Sequence, residues 1–116
     1  MNQVSGVIVD CAFKVHSSLG PGLFEEVYKK CLKYELQERK LSVETEVPVP
    51  IVYKNLTFDQ GYRLDLLVEG QVIVELKAIG QIAPVHHAQL YTYLRLSNKP
   101  LGLLLNFSSK YIPLAI

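Results

Sequence analysis

Cysteine is scarce in this chain. Cys11 and Cys31 stand 20 residues apart with no paired motif around either. That arrangement argues against a zinc site and fits reduced thiols in a cytosolic protein. An excess of charge of one sign is also lacking: 12 Lys and Arg balance 11 Asp and Glu, for a formal net charge of +1. Nucleic-acid binding would therefore rest on a local patch and not on a basic chain. No apolar run approaches the ~20 residues of a membrane span. The start, Met1 to Ser5, lacks the basic and long apolar regions of a signal peptide, so a cytoplasmic location with no membrane contact is expected. Repeats, linkers and low-complexity tracts are missing too. What is left is one domain, residues 1–116, 49% hydrophobic and 20% charged, which is ordinary for a globular protein with a real core.

The most informative stretch runs from Gly61 to Ala78. Two alternating apolar runs flank Gly70, the pattern of a β-hairpin. Asp65 interrupts the first arm, and Glu75 and Lys77 the second. Side chains alternate along a strand, so Glu75 and Lys77 share a face. Two carboxylates in mid-sheet need partners or are expensive to bury. A divalent cation is the commonest suitable partner, because carboxylate oxygens are hard ligands. The loop decides whether both acids reach one ion. A two-residue Glu69-Gly70 loop pairs Asp65 with Val74, and a Gly70-Gln71 loop pairs it with Leu76. Either sends Asp65 to the face opposite Glu75. A three-residue loop of Val68, Glu69 and Gly70 pairs Leu67 with Gln71 and Asp65 with Ile73. The acids then become diagonal neighbours on one face. An odd loop, or a bulge with the same effect, is therefore predicted, with Gly70 left-handed.

The remaining chain supplies the frame. Val4, Val7, Ile8, Cys11, Ala12, Val15 and Leu19 recur at helical spacing, and Leu19 to Gly22 is a breaker. A second helix is predicted from about Gly22 to Lys40, with Phe24, Val27, Tyr28, Cys31, Leu32 and Leu36 on its apolar face. Glu26, Lys29, Lys30 and Lys33 read as a solvated, charge-paired face. Glu25 borders the buried stripe: it is either a satisfied structural group or a side chain aimed at the site. Residues 43–53 alternate as a strand, but Pro48 and Pro50 imply an edge or interrupted pairing. Lys54 and Asn55 form a turn, and residues 57–68 and 71–78 are the hairpin arms. Arg63 shares Asp65's face and is placed either to pair with Glu75 or to meet a phosphate. Pro84 opens a third helix running to about Ser97. Val85, Gln89, Tyr93 and Leu96 share one side of it, which is expected to look toward the sheet. His86 and His87 diverge by about 100° on a helix and make a poor chelating pair. Leu101 to Phe107 is a buried strand, and Ser108 to Ile116 leaves a short edge element open. The order α, α, three strands, α, strand predicts an α/β fold with helices against a mixed sheet.

These residues resemble a known family. Gly22-Leu-Phe-Glu25-Glu-Val-Tyr28 is similar to the signature of the GxxExxY family, placed in the PD-(D/E)XK nuclease superfamily. The resemblance extends from His16 to Phe107. It takes in Arg63-Leu-Asp65, Glu75-Leu-Lys77, the His87 to Tyr93 segment and Leu105-Asn-Phe. The Asp, Glu-x-Lys and Gln-x-x-x-Tyr set also looks like that of RecB-like nuclease domains. The Pro that precedes the aspartate in the superfamily is Leu64 here, and the tail after Phe107 is unlike the basic ending of relatives. The resemblance implies a restriction-endonuclease-like core and a metal-dependent nuclease acting on nucleic acid, with DNA favoured. It implies Mg2+ or Mn2+ held by Asp65 and Glu75, with the Leu76 carbonyl as a third ligand. Lys77 then activates water and stabilises phosphate charge, Glu25 contacts metal through water, Gln89 orients the water or a phosphate, and Tyr93 buttresses it. Arg63 and Tyr93 are the residues implied to touch nucleic acid. Cutting both strands requires a homodimer or two sequential nicks. The competing reading is an inactive nuclease-fold module for nucleic-acid binding or assembly, in which Asp65, Glu75 and Lys77 form a buried ion-pair network.

Overall fold

The computed structural model describes residues 2–59, 61–108 and 114–115. The first helix, α1, spans Gln3–Leu19. Asn2 caps it, its Oδ1 accepting from the Ser5 N–H at 2.7 Å. Gly20 ends it in a left-handed conformation (φ 70°) that suits glycine. Helix α2 spans Glu25–Glu38, three residues later than the expected start at Gly22. The reason lies in Gly22 (φ 103°), whose backbone is not helical. Tyr28, fully buried, donates its hydroxyl to the Gly20 carbonyl (2.5 Å) and accepts from the Leu23 N–H (3.1 Å). Its ring stacks on Phe107 at 4.6 Å. One tyrosine thus pins the connection between the two helices to the end of a strand.

Strand β1 is Val43–Pro48. The chain then leaves the main sheet for a small separate hairpin, β2 (Ile51–Tyr53) and β3 (Leu56–Phe58), turning at Lys54 and Asn55. Both expectations raised by Pro48 and Pro50 hold, since β1 is an edge strand and its run is cut there. Strands β4 (Arg63–Val68) and β5 (Val72–Lys77) form the main hairpin. Helix α3 (Pro84–Ser97) crosses over to β6 (Leu101–Asn106), which lies parallel to β5. A two-residue strand, β7 (Leu114–Ala115), closes the edge that the tail left open. The sheet order is β1-β4-β5-β6-β7, a mixed sheet flanked by helices.

The sheet divides two apolar clusters. On one side Leu66, Val68, Val74, Leu76, Leu103 and Leu105 pack against α1 and α2. On the other Leu64, Leu67, Ile73 and Leu104 pack against Leu90 and Tyr93 of α3. Leu64 and Leu66 are two residues apart yet join opposite clusters, so β4 changes phase at Asp65. Val43 and Val47 of β1 do the same, around Glu46, which is left-handed (φ 52°). The β1–β4 ladder pairs Thr45 with Leu66 and Val47 with Leu64, leaving Glu46 across from Asp65 unpaired by backbone. Helix α3 corrects one expectation. Its buried residues are Leu90 and Tyr93, whereas Val85, Gln89 and Leu96 are exposed. Those three border an open groove instead of meeting the sheet.

Candidate active site

The main hairpin turns through Glu69 and Gly70, both left-handed (φ 55° and 63°), and Val68 pairs with Val72. Its loop is three residues, Glu69, Gly70 and Gln71. The odd length matches expectation, but the register is displaced: Leu67 pairs with Ile73 and not with Gln71. Gln71 belongs to the loop because Val72, Val74 and Leu76 must align with Leu66 and Val68 to fill the α1/α2 side. This register sets Asp65 directly across from Glu75, closer than the diagonal arrangement expected from sequence.

Backbone pairing between β4 and β5 stops at Leu66 and Val74. Past that point the two acids make the cross-strand bonds. The Asp65 N–H donates to Glu75 Oε1 (3.1 Å), and the Leu76 N–H donates to Asp65 Oδ2 (2.9 Å). Glu75 is only 6% exposed. Burial, and then the neighbouring charge of Asp65, pushes its carboxyl up to about 8, against the pull of the Asp65 N–H and of Lys77. Burial also raises Asp65; the Leu76 N–H, Lys29 and Lys77 oppose that rise, while Glu46 adds to it. Tyr93, 7% exposed, completes the α3 side. Burial raises its phenol, and the charges of Glu75, Tyr62 and Asp65 raise it further, so the hydroxyl lies in the field of both acids.

Two carboxyl groups in contact, one of them buried, thus stand near a lysine two residues along the same strand. The model for the PD-(D/E)XK nuclease superfamily matches residues 2–114. The chain belongs to that superfamily. No curated protein and no solved structure matches it.

In this nuclease-superfamily domain the residues singled out from sequence fall into two groups. Asp65, Glu75, Lys77 and Tyr93 come together, with the Leu76 backbone bound to Asp65. Glu25, Gln89 and Arg63 make no hydrogen bond or ion pair to either acid among the described residues. Glu25 is exposed in the first turn of α2, where the helix dipole favours a carboxylate. Gln89 lines the groove beside Tyr93. Arg63 is exposed and reaches the Glu46 carbonyl at 3.4 Å; the pairing with Glu75 considered from sequence is not made, because Arg63 lies past the phase change in β4. His86 caps α3, its Nδ1 accepting from the Ala83 N–H at 2.9 Å.

Three contributors are given no site role by the sequence, although Asn106 stands in the Leu105-Asn-Phe motif. Lys29 is not on a solvated face: its side chain is 12% exposed and bridges Glu26 (3.0 Å) and Glu46. Burial works against its charge, but the two carboxylates more than offset this and push it up to about 12. Its ammonium favours the ionised form of Asp65. Glu46 lies across from Asp65 and ties β1 to α2 through Lys29. Asn106, fully buried, bonds the Ile79 carbonyl (2.9 Å) and accepts the Ile79 N–H (3.2 Å), fixing the segment that leaves Lys77. A lone polar residue closing the Leu101 to Phe107 run was the available signal for Asn106. Lys29 had none, because its partner Glu46 lies on a distant strand.

The donor set fits a divalent cation. Asp65 and Glu75 present hard oxygens side by side, and their mutual repulsion is what a cation relieves. Among the described residues no group of three or more His, Cys, Asp and Glu converges on one point. Magnesium, which keeps several waters and takes one or two carboxylates, suits such a pair better than zinc.

Proposed function

We propose that this domain hydrolyses phosphodiester bonds of nucleic acid, DNA in the first instance, with Mg2+ or Mn2+ held by Asp65 and Glu75. The observation that carries the reading is the opened β4–β5 pairing, where two carboxylates replace backbone and meet beside Lys77. The Leu76 carbonyl is the backbone oxygen best placed in sequence to join them. When bound, such an ion supplies Lewis acidity toward a phosphate oxygen and a lowered pKa for a water. The chain's own groups do the rest. Lys77 orients the attacking water, takes part in its deprotonation and neutralises charge that develops on the phosphate. Tyr93 holds the α3 side of the site against the acids. Lys29 favours the ionised form of Asp65 against burial and holds Glu46 in place. Glu25, one turn before Lys29, and Gln89 act at longer range, through water or the phosphate backbone, and Arg63 meets a phosphate outside the site. The Gly22 to Tyr28 motif supports a reading of the chain as one of the GxxExxY group within the superfamily.

The test is cleavage of single- and double-stranded DNA and RNA with Mg2+, Mn2+ or chelator. Lys77→Ala is the discriminating variant. Turnover per folded molecule should fall on the order of 10²-fold or more, while metal affinity, read by calorimetry, stays near normal. Lys77→Arg should not rescue, because a guanidinium keeps its proton. Undiminished turnover in a stable, metal-binding Lys77→Ala protein would remove the lysine from the chemistry. Tight nucleic-acid binding with no cleavage by the unmodified protein would establish the inactive-module reading.

A further inference from the structure

A groove of about 280 Å³ opens beside the acids, between α3 and the segment that enters β4. Ile51, Leu96 and Val85 make it apolar, the rings of Tyr62 and Tyr93 line it, and Gln89 and Thr92 add two polar groups. Tyr93 belongs both to this groove and to the surroundings of Glu75 and Asp65. Tyr93 thus links the groove to the candidate active site. Tyr62 is 47% exposed and lines the groove.

Charge indicates what kind of molecule approaches this side. All eleven acidic residues lie at or before Glu75. The 41 residues that follow contain Lys77, Arg95, Lys99 and Lys110 and no acid. Helix α3 and strand β6 belong wholly to that segment. Helix α3, one wall of the groove, therefore brings no carboxylate of its own to repel a polyanion. The β2–β3 hairpin, which contributes Ile51 to the groove, leaves Tyr53 and Phe58 more than half exposed and holds the Lys54 ammonium 5.5 Å from the Tyr53 ring centroid. Aromatic faces interleaved with cations are the surface that single-stranded nucleic acid uses.

We propose that the groove is a nucleobase subsite that takes an unpaired base of the strand being cut, stacked on Tyr62 with its edge toward Gln89 and Thr92. An amide and a hydroxyl each donate and accept, so they fit the edge of any base. A base in a duplex has its faces stacked and its edge paired, and entering the groove would require extrusion. An unpaired base enters without that cost. The subsite therefore selects single-stranded segments, and it rests on the nuclease reading above. It assigns Gln89 to the base and not to the attacking water.

The chain has no tryptophan, so Tyr62→Trp places a single reporter in the groove. In EDTA, an added single-stranded oligonucleotide should quench it, and the matching duplex should not at equal concentration. By fluorescence anisotropy, Tyr62→Ala should weaken single-strand binding about ten- to a hundred-fold, the scale of losing one stacked base. Duplex binding and thermal stability should be unchanged, and Tyr62→Phe should bind as the unmodified protein does. A preference for duplex, or single-strand binding unaffected by Tyr62→Ala, overturns the proposal. So does a dimer, seen by light scattering, that Tyr62→Ala dissociates, since the groove is then a surface between copies of the chain. If no substrate is cut with Mg2+ or Mn2+ yet Tyr62-dependent single-strand binding persists, the subsite stands and the nuclease reading falls. If substrates are cut with no dependence on Tyr62, the reverse holds.

Discussion

Metal-free protein should be more stable in mild acid than in mild alkali, with Glu75 the cause. Its carboxyl titrates at 4.5 unperturbed and at about 8 in the fold. The unfolded chain releases this proton at the lower value, and the native state keeps it. The contribution to stability is full below pH 4.5, falls as pH rises from there to about 8, and is flat beyond. At about 1.4 kcal/mol for each tenfold change in proton affinity, the displacement is worth on the order of several kcal/mol across that window. Asp65 shifts in the same direction and adds to the trend. Most of the loss falls between pH 5.5 and 8.5, where other carboxylates are already ionised. The assay is urea unfolding in EDTA at those two pH values. The midpoint should fall clearly with pH, and Glu75→Gln should abolish most of the fall and be the more stable protein at pH 8.5. Glutamine keeps an oxygen for the Asp65 N–H and donates toward the Asp65 carboxylate, so it removes the repulsion without leaving the backbone unpaired. Glu75→Ala lacks that control, as does Asp65→Ala, which orphans the Leu76 N–H. Stability in EDTA that is flat or rises over this range, in both proteins alike, would refute the reasoning.

Metal should reverse that behaviour. At pH 7 the acid pair holds a proton that a cation must displace, so Mg2+ binding should release up to about one proton; calorimetry in buffers of different ionisation enthalpy measures it, and zero release would contradict the pairing of Asp65 with Glu75. Tyr28→Phe keeps the stack on Phe107 but loses the bridge from Gly20 to Leu23. It should cost about 1–2 kcal/mol, seen as a lower urea midpoint with unchanged helix content. A Cβ at Gly102 would lie 2.8 Å from Leu90 Cδ1. Gly102→Ala should therefore destabilise by about 1–3 kcal/mol, and adding Leu90→Ala should cost less than the two changes summed; strict additivity would mean that α3 and β6 do not meet there.

Much of this architecture could be read from spacing. The buried stripes of α1 and α2, the apolar run of β6 and the odd loop of the main hairpin all follow from periodicity and from the need to bring Asp65 and Glu75 to one place. The misreadings share a cause. Gln71 looked like strand because hydrophobic alternation does not mark where a ladder begins. The core does: Val72 is fully buried on the α1/α2 side and Gln71 is not. Val85 and Leu96 looked like core because they are apolar, yet they border an open groove. Lys29 looked solvated beside Lys30 and Lys33, and only Glu46, brought close by the β1–β4 ladder, makes it a buried bridge. In each case the deciding neighbour is remote in sequence.

The row Glu46, Asp65, Glu75 crosses three adjacent strands at the level where the β1–β4 ladder skips a pair and the β4–β5 ladder ends. In a regular sheet these positions would be joined backbone to backbone, and their side chains would stand clear of the strands. Here β1 and β4 change phase together, and side chains take over the bonding. Glu46 turns to Lys29, while Asp65 and Glu75 accept the N–H groups of Leu76 and Asp65. Those two bonds use one oxygen of each acid, Asp65 Oδ2 and Glu75 Oε1. A carboxylate has two oxygens, so Asp65 Oδ1 and Glu75 Oε2 remain for a further partner. Without metal that partner is a proton: burial raises both groups, and the charge of Asp65 adds to the rise at Glu75 as that of Glu46 does at Asp65. With metal it is the cation. The backbone bonds hold the acids in place in either state. The same irregularity that interrupts the β1–β4 ladder and ends the β4–β5 ladder thus holds the two carboxyl groups side by side near Tyr93, as the proposed metal site requires.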